Sequence, residues 1–319
     1  MNTRRLGPWE MFPIGLGCMN VSWPGGAALE AQTRNSSAIP GIHAGLNAGV
    51  TLLDTADIYA PAWDRLGHNE EFVAESLRTW DAQPSQKDAV IIATKGGITR
   101  SAGEVWGRGG SLDYLVGAAE RSRDRLGVDV IDLWQHHRLD PSIPFETQFE
   151  NALELKSRGI VREVGVSNYN AAQLQKALEI GGTPDQGGLI SVQNEFSPFY
   201  RHDLDVLQVC EDSGVAFLPW SPLGGSKKVK GIVEGQVGTF VTMARDKQVS
   251  PQALVLAWLL AYSPVIIPIP GATRAESILD AVSAVTIVLS DAERDELSAS
   301  LPESLPRSDE LEPSPPWRD

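Results

Sequence analysis

From residue 13 onward, short apolar, β-prone runs alternate with amphipathic stretches, and the alternation occurs eight times. The runs are PIGLGCM (13–19), TLLDTA (51–56), AVIIATK (89–95), VIDLWQHH (130–137), VREVGVSN (161–168), LISVQNEF (189–196), VAFLPWS (215–221) and VIIPIP (265–270). Between them lie helical patterns such as DYLVGAAERSRDRLG (113–127), ETQFENALELKSRG (146–159) and AAQLQKALEIGG (171–182). Gly127, Gly159 and Gly181 stand where helix C-caps belong. Strands separated by helices become parallel neighbours through right-handed crossovers. Eight such units predict an α/β fold, a closed (β/α)8 TIM barrel, and 319 residues are enough to build one. An open dinucleotide-binding sheet would carry G-x-G-x-x-G after its first strand, but GLGCMN (15–20) lacks the third glycine.

The two ends lie outside the repeat. MNTRRLGPWEMF (1–12) is expected to form a hairpin closing the bottom of the barrel. VLSDAERDELSASL (288–301) is expected to be an added helix with Ser290 as its N-cap. Residues 302–319, rich in Pro and acid, read as an extended or mobile tail, and 1–319 as a single barrel domain. A net charge of −14 argues against nucleic acid and anionic membrane surfaces as partners. Only two cysteines, Cys18 and Cys210, are present, which suits a reducing compartment, the cytoplasm. The N-terminus lacks a continuous apolar stretch, so no signal peptide is expected, and the most apolar run, ALVLAWLLAY (253–262), is short enough to read as a buried helix.

The strand ends carry the chemistry. In a barrel the C-terminal ends of the strands form the active face. Six consecutive strands end in polar or aromatic groups: Asp54 with Tyr59 beyond it, Lys95, His136-His137, Ser167-Asn168, Gln193-Asn194-Glu195 and Trp220-Ser221. Burying each without a partner would cost a few kcal/mol, so they are expected to be one another's partners. A Tyr hydroxyl, with an ordinary pKa near 10, becomes a usable acid when an ammonium stands beside it. Lys95 would supply that charge and Asp54 would hold it. A His beside the phenol would orient a carbonyl oxygen. Ser167, Asn168 and Gln193 have the donors and acceptors to hold a carboxamide, and Trp220 has a flat face for a nicotinamide ring. Neighbouring His residues on a strand point to opposite faces, so one of His136 and His137 is expected in the site and no metal pair.

These residues resemble the aldo-keto reductase family. The matches are D-T-A-x-x-Y (54–59), A-T-K (93–95), I-D-L-W-Q-H-H-R-L-D (131–140), G-V-S-N (165–168), Q-N-E-F-S-P (193–198), W-S-P-L-G (220–224) and I-P-G-A (269–272). The resemblance runs in order from residue 1 to about 286. It implies a metal-free carbonyl reductase using NAD(P)H, acting on a small-molecule carbonyl or secondary alcohol. The implied catalytic set is Asp54, Tyr59, Lys95 and His137, with Tyr59 as the acid; Arg138-Leu139-Asp140 after the second histidine selects His137. The implied cofactor residues are Met19, Asp54, Ser167, Asn168, Gln193, Trp220, Ser221, Leu223, Gly224, Gly271, Thr273, Arg274 and Ser277.

The adenosine end departs from the pattern of many NADPH-preferring members. Gly271 and Ser277 stand where basic residues are common, and Ala281 where an Asn often reads the adenine. Arg274 remains there, and the basic cluster Lys227, Lys228 and Lys230 reads either as a solvated loop or as a clasp over the pyrophosphate or 2′-phosphate. NADP(H) is therefore expected, with NAD(H) as the alternative. Trp23, Trp63 and Trp106, with Tyr59 and His137, predict an aromatic-walled substrate pocket suited to an apolar or ring-bearing carbonyl compound. The Gly-rich stretch 96–111 reads as a mobile lid. Two other readings stand beside the reductase: a Schiff-base lyase built on Lys95, and a cofactor-sensing regulatory subunit like the channel β-subunits that resemble this family.

Overall fold

A computed structural model describes residues 3–22, 28–225, 232 and 237–304, with residues 28–37 as backbone. Seven parallel strands form one curled sheet. Each pairs with the next: β3 (Leu16–Gly17), β4 (Leu52–Asp54), β5 (Ile91–Gly96), β8 (Ile131–His136), β9 (Val161–Ser167), β10 (Leu189–Gln193) and β11 (Ala216–Phe217). The eighth apolar run, 265–270, is not a regular strand. Pro268 and Pro270 have no N–H to give to a ladder. Their carbonyls still accept, from Gly15 N–H at 2.9 Å and Gly17 N–H at 3.1 Å, while Ile267 N–H donates to the Phe217 carbonyl at 2.9 Å. Single bridges at Phe217–Ile266 and Gly17–Gly271 complete the circuit, so the run closes the barrel between β11 and β3.

The strands are shorter than the runs that predict them. The chain leaves β3 at Gly17 to enter the helical turn Met19–Ser22, and Pro219 cuts the seventh run back to Ala216–Phe217. The sixth run continues past Gln193 as one bridge, Glu195–Trp220.

Below the barrel, β1 (Arg4–Leu6) and β2 (Trp9–Met11) pair as the expected antiparallel hairpin. Leu6 and Met11 enter the inner apolar cluster with Leu52, Ile91, Leu133, Ile190, Leu218 and Ile267. At the tip, Gly7 (φ 54°) leaves no room for a side chain, since a Cβ would stand 2.7 Å from Ile190. The larger apolar cluster lies between the strands and the outer helices.

The helices begin and end on local signals. Leu112–Leu126 starts at Ser111, whose hydroxyl accepts from Tyr114 N–H, and stops at left-handed Gly127 (φ 68°). Ala171–Gly181 has an Asn170/Gln173 capping box, and its C-cap is Gly182 rather than the expected Gly181. The closing helix Asp291–Ala299 is capped by Ser290 with Glu293 and buries Leu297. Pro302 and Ser304 then hold Arg201 through hydrogen bonds, and the rest of the tail, 305–319, lies outside the described residues. Helix Pro251–Tyr262 is apolar all round and buried from Ala253 to Leu259; among the described residues no helix is long and apolar enough to cross a membrane. The Gly-rich stretch 96–111 contains an antiparallel hairpin, β6 (Ile98–Ser101) with β7 (Val105–Arg108), in which Ile98 opposes Arg108 and Arg100 opposes Trp106.

Candidate active site

Asp54 ends β4 and Lys95 lies near the end of the neighbouring β5, and both side chains are buried. The Lys95 ammonium donates to Asp54 Oδ1 at 2.6 Å, to the Thr55 carbonyl at 2.8 Å and to the Tyr59 hydroxyl at 3.4 Å. The remaining oxygen of Asp54, Oδ2, accepts from Gln193 Nε2 at 2.8 Å and Gln135 Nε2 at 3.2 Å. Burial works to lower the pKa of Lys95, but Asp54 and Tyr59 outweigh it and the net direction is up, so the amine stays charged. For Tyr59 the balance differs from the expectation. Burial pushes the hydroxyl up, the Lys95 charge pulls it down, and the net direction is up.

The two histidines diverge as strand geometry requires. His137 sets its ring edge-on to Tyr59, 5.9 Å between centroids. Its Nδ1 is buried and has no hydrogen-bond partner. Burial first, then the charges of Lys95, Arg138 and Arg108, hold this imidazole neutral well below its usual range. His136 turns the other way, stacks on Trp134 and bonds through Nδ1 to the Tyr169 hydroxyl at 2.9 Å; burial pushes it down to about 4.

A continuous hydrogen-bond chain runs outward from Asp54. Gln193 receives the Ser167 hydroxyl on its carbonyl at 2.8 Å, and Ser167 Oγ accepts from Asn168 Nδ2 at 2.8 Å. Asn168 also donates to the His137 carbonyl at 3.1 Å and accepts from Trp220 Nε1 at 3.3 Å. Asn168 is left-handed (φ 62°), a conformation its short amide side chain tolerates. Gln193 Nε2, expected at a carboxamide, is directed at Asp54 instead. Gln135 was not among the expected site residues. Its signal was its spacing two residues before His137 on β8, which puts both on one face with Leu133 of the inner cluster.

The other expected residues scatter around the same face. Met19 opens the helical turn after β3, and Gly271 lies beside Asn20 and pairs with Gly17. Ser221, Leu223 and Gly224 form a tight turn after β11, in which Gly224 N–H donates to the Ser221 carbonyl at 2.7 Å. Arg274, exposed, occupies the N-cap of helix Ala275–Ser283 and donates to Ser277 Oγ at 3.3 Å; Thr273 precedes it, half-buried. Trp106 packs with Tyr59 against Ala56, Ile58 and Ile98, while Trp63 is 40% exposed at the rim. Trp23 and Lys227, Lys228 and Lys230 lie outside the described residues. Among the described residues no three His, Cys, Asp or Glu side chains gather to hold a metal ion.

A second buried polar group, also unforeseen, backs the loop that carries Tyr59. Glu70 accepts from the Thr94 hydroxyl at 2.6 Å and from Arg125 at 3.2 Å. Asp57 is buried nearby with Oδ1 unpartnered, and burial together with the Glu70 charge raises its carboxyl well above the usual range.

The chain is similar to known proteins along most of its length. The model of the aldo/keto reductase family matches residues 13–301. An uncharacterised oxidoreductase of Schizosaccharomyces pombe is 31% identical over 293 residues, covering 90% of this chain and 86% of its own. A probable aldo-keto reductase of Glycine max is 27% identical over 320 residues, 92% of this chain and 86% of its own. Among solved structures, an aldo/keto reductase of Klebsiella pneumoniae in complex with NADP and acetate superposes with a TM-score of 0.74 at 24% identity, covering 96% of this chain and 98% of that one. The chain therefore belongs to the aldo/keto reductase family.

Proposed function

We propose that the protein reduces aldehydes or ketones to alcohols, reversibly, with NADP(H), on an apolar or ring-bearing carbonyl compound. The observation that carries the reading is the Lys95 ammonium, tied to Asp54 at 2.6 Å and lying 3.4 Å from the Tyr59 hydroxyl. The residues present fit a nicotinamide cofactor. Asn168, Trp220 and Ser221 are half-buried at the open end of the barrel, so a flat ring has a surface to meet. Ser167 and Asn168 would hold its carboxamide, and Met19, Leu223, Gly224, Gly271 and Thr273 would flank the rest. Arg274 and Ser277, where a helix begins, suit a phosphate. The complex of the Klebsiella pneumoniae relative with NADP supports the same choice.

When bound, the reduced nicotinamide supplies the hydride. Tyr59 gives its proton to the carbonyl oxygen as negative charge develops there. Lys95 stabilises the phenolate left behind, and Asp54 keeps Lys95 charged and aimed. The neutral His137, edge-on to Tyr59, orients the same oxygen. Trp106 packs beside Tyr59 at this end of the site.

A Schiff base needs a neutral amine, and the three hydrogen bonds and raised pKa of Lys95 work against one. Both cysteines are free and buried, which fits a reducing cytoplasm. The test is steady-state oxidation of NADPH and NADH with a panel of aldehydes and ketones. Sustained turnover with NADPH is expected. A single oxidation of bound NADPH without turnover on any carbonyl would overturn the reductase reading and favour the regulatory one.

A further inference from the structure

Beyond Tyr59 the chain runs through residues 60–66 and returns as helix His68–Thr79. The second residue of that helix, Asn69, is fully buried. Its backbone N–H donates to the Tyr59 carbonyl at 3.2 Å, and two residues earlier Gly67 N–H donates to the Asp57 carbonyl at 3.1 Å. The start of the helix therefore holds the main chain of the segment that carries Tyr59. Gly67 (φ 87°) permits the return, since Arg125 fills the space in which a side chain there would lie.

The side chain of Asn69 reaches two further segments. Its Nδ2 donates to the Cys18 carbonyl at 2.9 Å and to Ser22 Oγ at 2.8 Å, and its Oδ1 accepts from the Thr55 hydroxyl at 2.6 Å. A carbonyl can only accept, so the bond to Cys18 fixes which way the amide points and leaves Oδ1 to Thr55. Cys18 precedes the turn Met19–Ser22 and Ser22 ends it, where its hydroxyl also pairs with His68 Nδ1 at 2.8 Å. Thr55 follows Asp54 directly, and its carbonyl accepts from the Lys95 ammonium at 2.8 Å. One buried residue is thus bonded to the turn after β3, to the residue that links Asp54 with Lys95, and to Tyr59.

We propose that Asn69 is a positioning residue for the reduction: it holds the Met19–Ser22 turn, which flanks the cofactor, and segment 54–59, which carries the acid, in one frame. The proposal rests on the reductase reading and adds to it a residue from outside the strand ends. Hydride and proton must reach the two atoms of one carbonyl together, yet their donors sit on segments that follow different strands. A misplacement of about 1 Å can cost on the order of 10²-fold in rate. Cys18 N–H already ties the first segment to the Asp54 carbonyl at 2.8 Å. Bonds from Asn69 to the Cys18 carbonyl, Ser22 and Thr55 lie to either side of that tie, so the two segments are kept from pivoting about it.

The test uses Asn69→Ala, with Thr55→Val as a milder cut that keeps the shape of its site. In Asn69→Ala, turnover of an aldehyde at saturating NADPH should fall by at least about 10-fold, and NADPH binding, read by quenching of tryptophan fluorescence, should weaken by at least about 3-fold, the scale of leaving buried polar groups without partners. Thr55→Val cuts only the side toward Lys95 and Tyr59. Its loss of turnover, about 3-fold or more on the same scale, should vanish once Tyr59→Phe is present, because a residue that acts through Tyr59 then has nothing left to position. A merely structural role would lower the unfolding midpoint and leave the two losses multiplying in full, and that result overturns the proposal. So does a folded Asn69→Ala protein whose turnover and NADPH binding match the wild type. Should Asn69→Ala fail to fold, the cycle of Thr55→Val with Tyr59→Phe decides. If the wild type reduces no aldehyde, the reductase reading falls and NADPH binding decides for Asn69: weaker binding in Asn69→Ala sustains its hold on the cofactor turn, and equal binding overturns it.

Discussion

Thr94 and Lys95 are neighbours on β5, both fully buried, and they serve opposite faces of the strand. Inside the barrel, Lys95 meets one carboxylate, Asp54, whose second oxygen is held by two amides. The charges balance and the bonds are complete. Outside the barrel, Thr94 meets Glu70, with Asp57 close by and Arg125 as partner. Two carboxyls share that pocket and one oxygen, Asp57 Oδ1, has no partner. Equal burial thus has opposite consequences for charge. A buried ion survives where a counter-ion and hydrogen bonds replace water, and a buried acid keeps its proton where they do not. The inner face therefore holds a paired ion, while the outer face holds an acid, Asp57, whose ionisation burial and Glu70 disfavour, behind the loop that carries Tyr59.

The inner balance breaks most severely when one partner is removed. Lys95→Met leaves the buried Asp54 carboxyl without its partner, and the cost to folding should be roughly 3–5 kcal/mol, read from urea unfolding. Adding Asp54→Asn to that variant should return part of the lost stability, because the orphaned carboxyl goes with it. For turnover, Asp54→Asn should cost little beyond Lys95→Met, since residues that act as a unit share one loss. If both losses add in full, Asp54 and Lys95 are not one device and the contrast between the two faces of β5 is lost.

Tyr59→Phe is a cleaner cut, because the ring stays. Carbonyl reduction should fall by at least about 10²-fold, the usual scale of general acid help. Stability should hardly change, and NADPH should still quench tryptophan fluorescence through Trp220. Undiminished reduction of a good aldehyde would remove Tyr59 from the role of acid.

At the exposed end of the face the expected effect is smaller. Arg274→Ala should weaken NADPH by roughly 1–3 kcal/mol, the loss of one charge-assisted bond, and NADH by much less. Equal losses for the two cofactors would show that Arg274 does not read the 2′-phosphate.

The inner face was largely legible in the sequence because barrel topology turns strand ends into neighbours. Asp54, Lys95, His137, Asn168, Gln193 and Trp220 lie far apart in the chain, yet the period of the βα unit brings their strand ends together. What that logic does not reveal is direction. Gln193 aims at Asp54, because a buried carboxylate draws the strongest donors within reach. Gln135 is hard to read from the sequence, because within I-D-L-W-Q-H-H the histidines carry the recognisable chemistry and an amide in an apolar strand does not declare its partner. The eighth strand was legible as an apolar run but not as an irregular one, since its prolines still accept bonds through their carbonyls. The hairpin at 98–108 was hidden by its glycines, which suggested a loop, while Ile98, Arg100, Trp106 and Arg108 alternated to one side. The outer acids were illegible for a different reason. Asp57 and Glu70 come from a loop and a helix whose packing on β5 no local pattern announces.

The outer face yields the subtlest prediction, which concerns Asp57→Asn. Asp57 has its folded pKa raised above the ordinary carboxylate range, by burial and then by Glu70. At low pH both folded and unfolded chains hold the proton, and the carboxyl costs nothing. As pH rises past about 4, the unfolded chain releases the proton while the folded one retains it, so unfolding is increasingly favoured. The penalty grows until the folded pKa is passed and is constant above it. Asparagine has the same shape and never ionises, so the variant should escape the penalty. Its Tm should match the wild type near pH 4 and exceed it increasingly toward neutral and alkaline pH, by an amount on the order of 1 kcal/mol in stability. The opposite trend, a variant less stable at high pH and equal at low pH, would mean that Asp57 is ionised in the folded protein and paired with Arg125 or Arg121. The outer pocket would then be a balanced ion cluster like the inner one, and the two faces of β5 would differ in their residues but not in their physics.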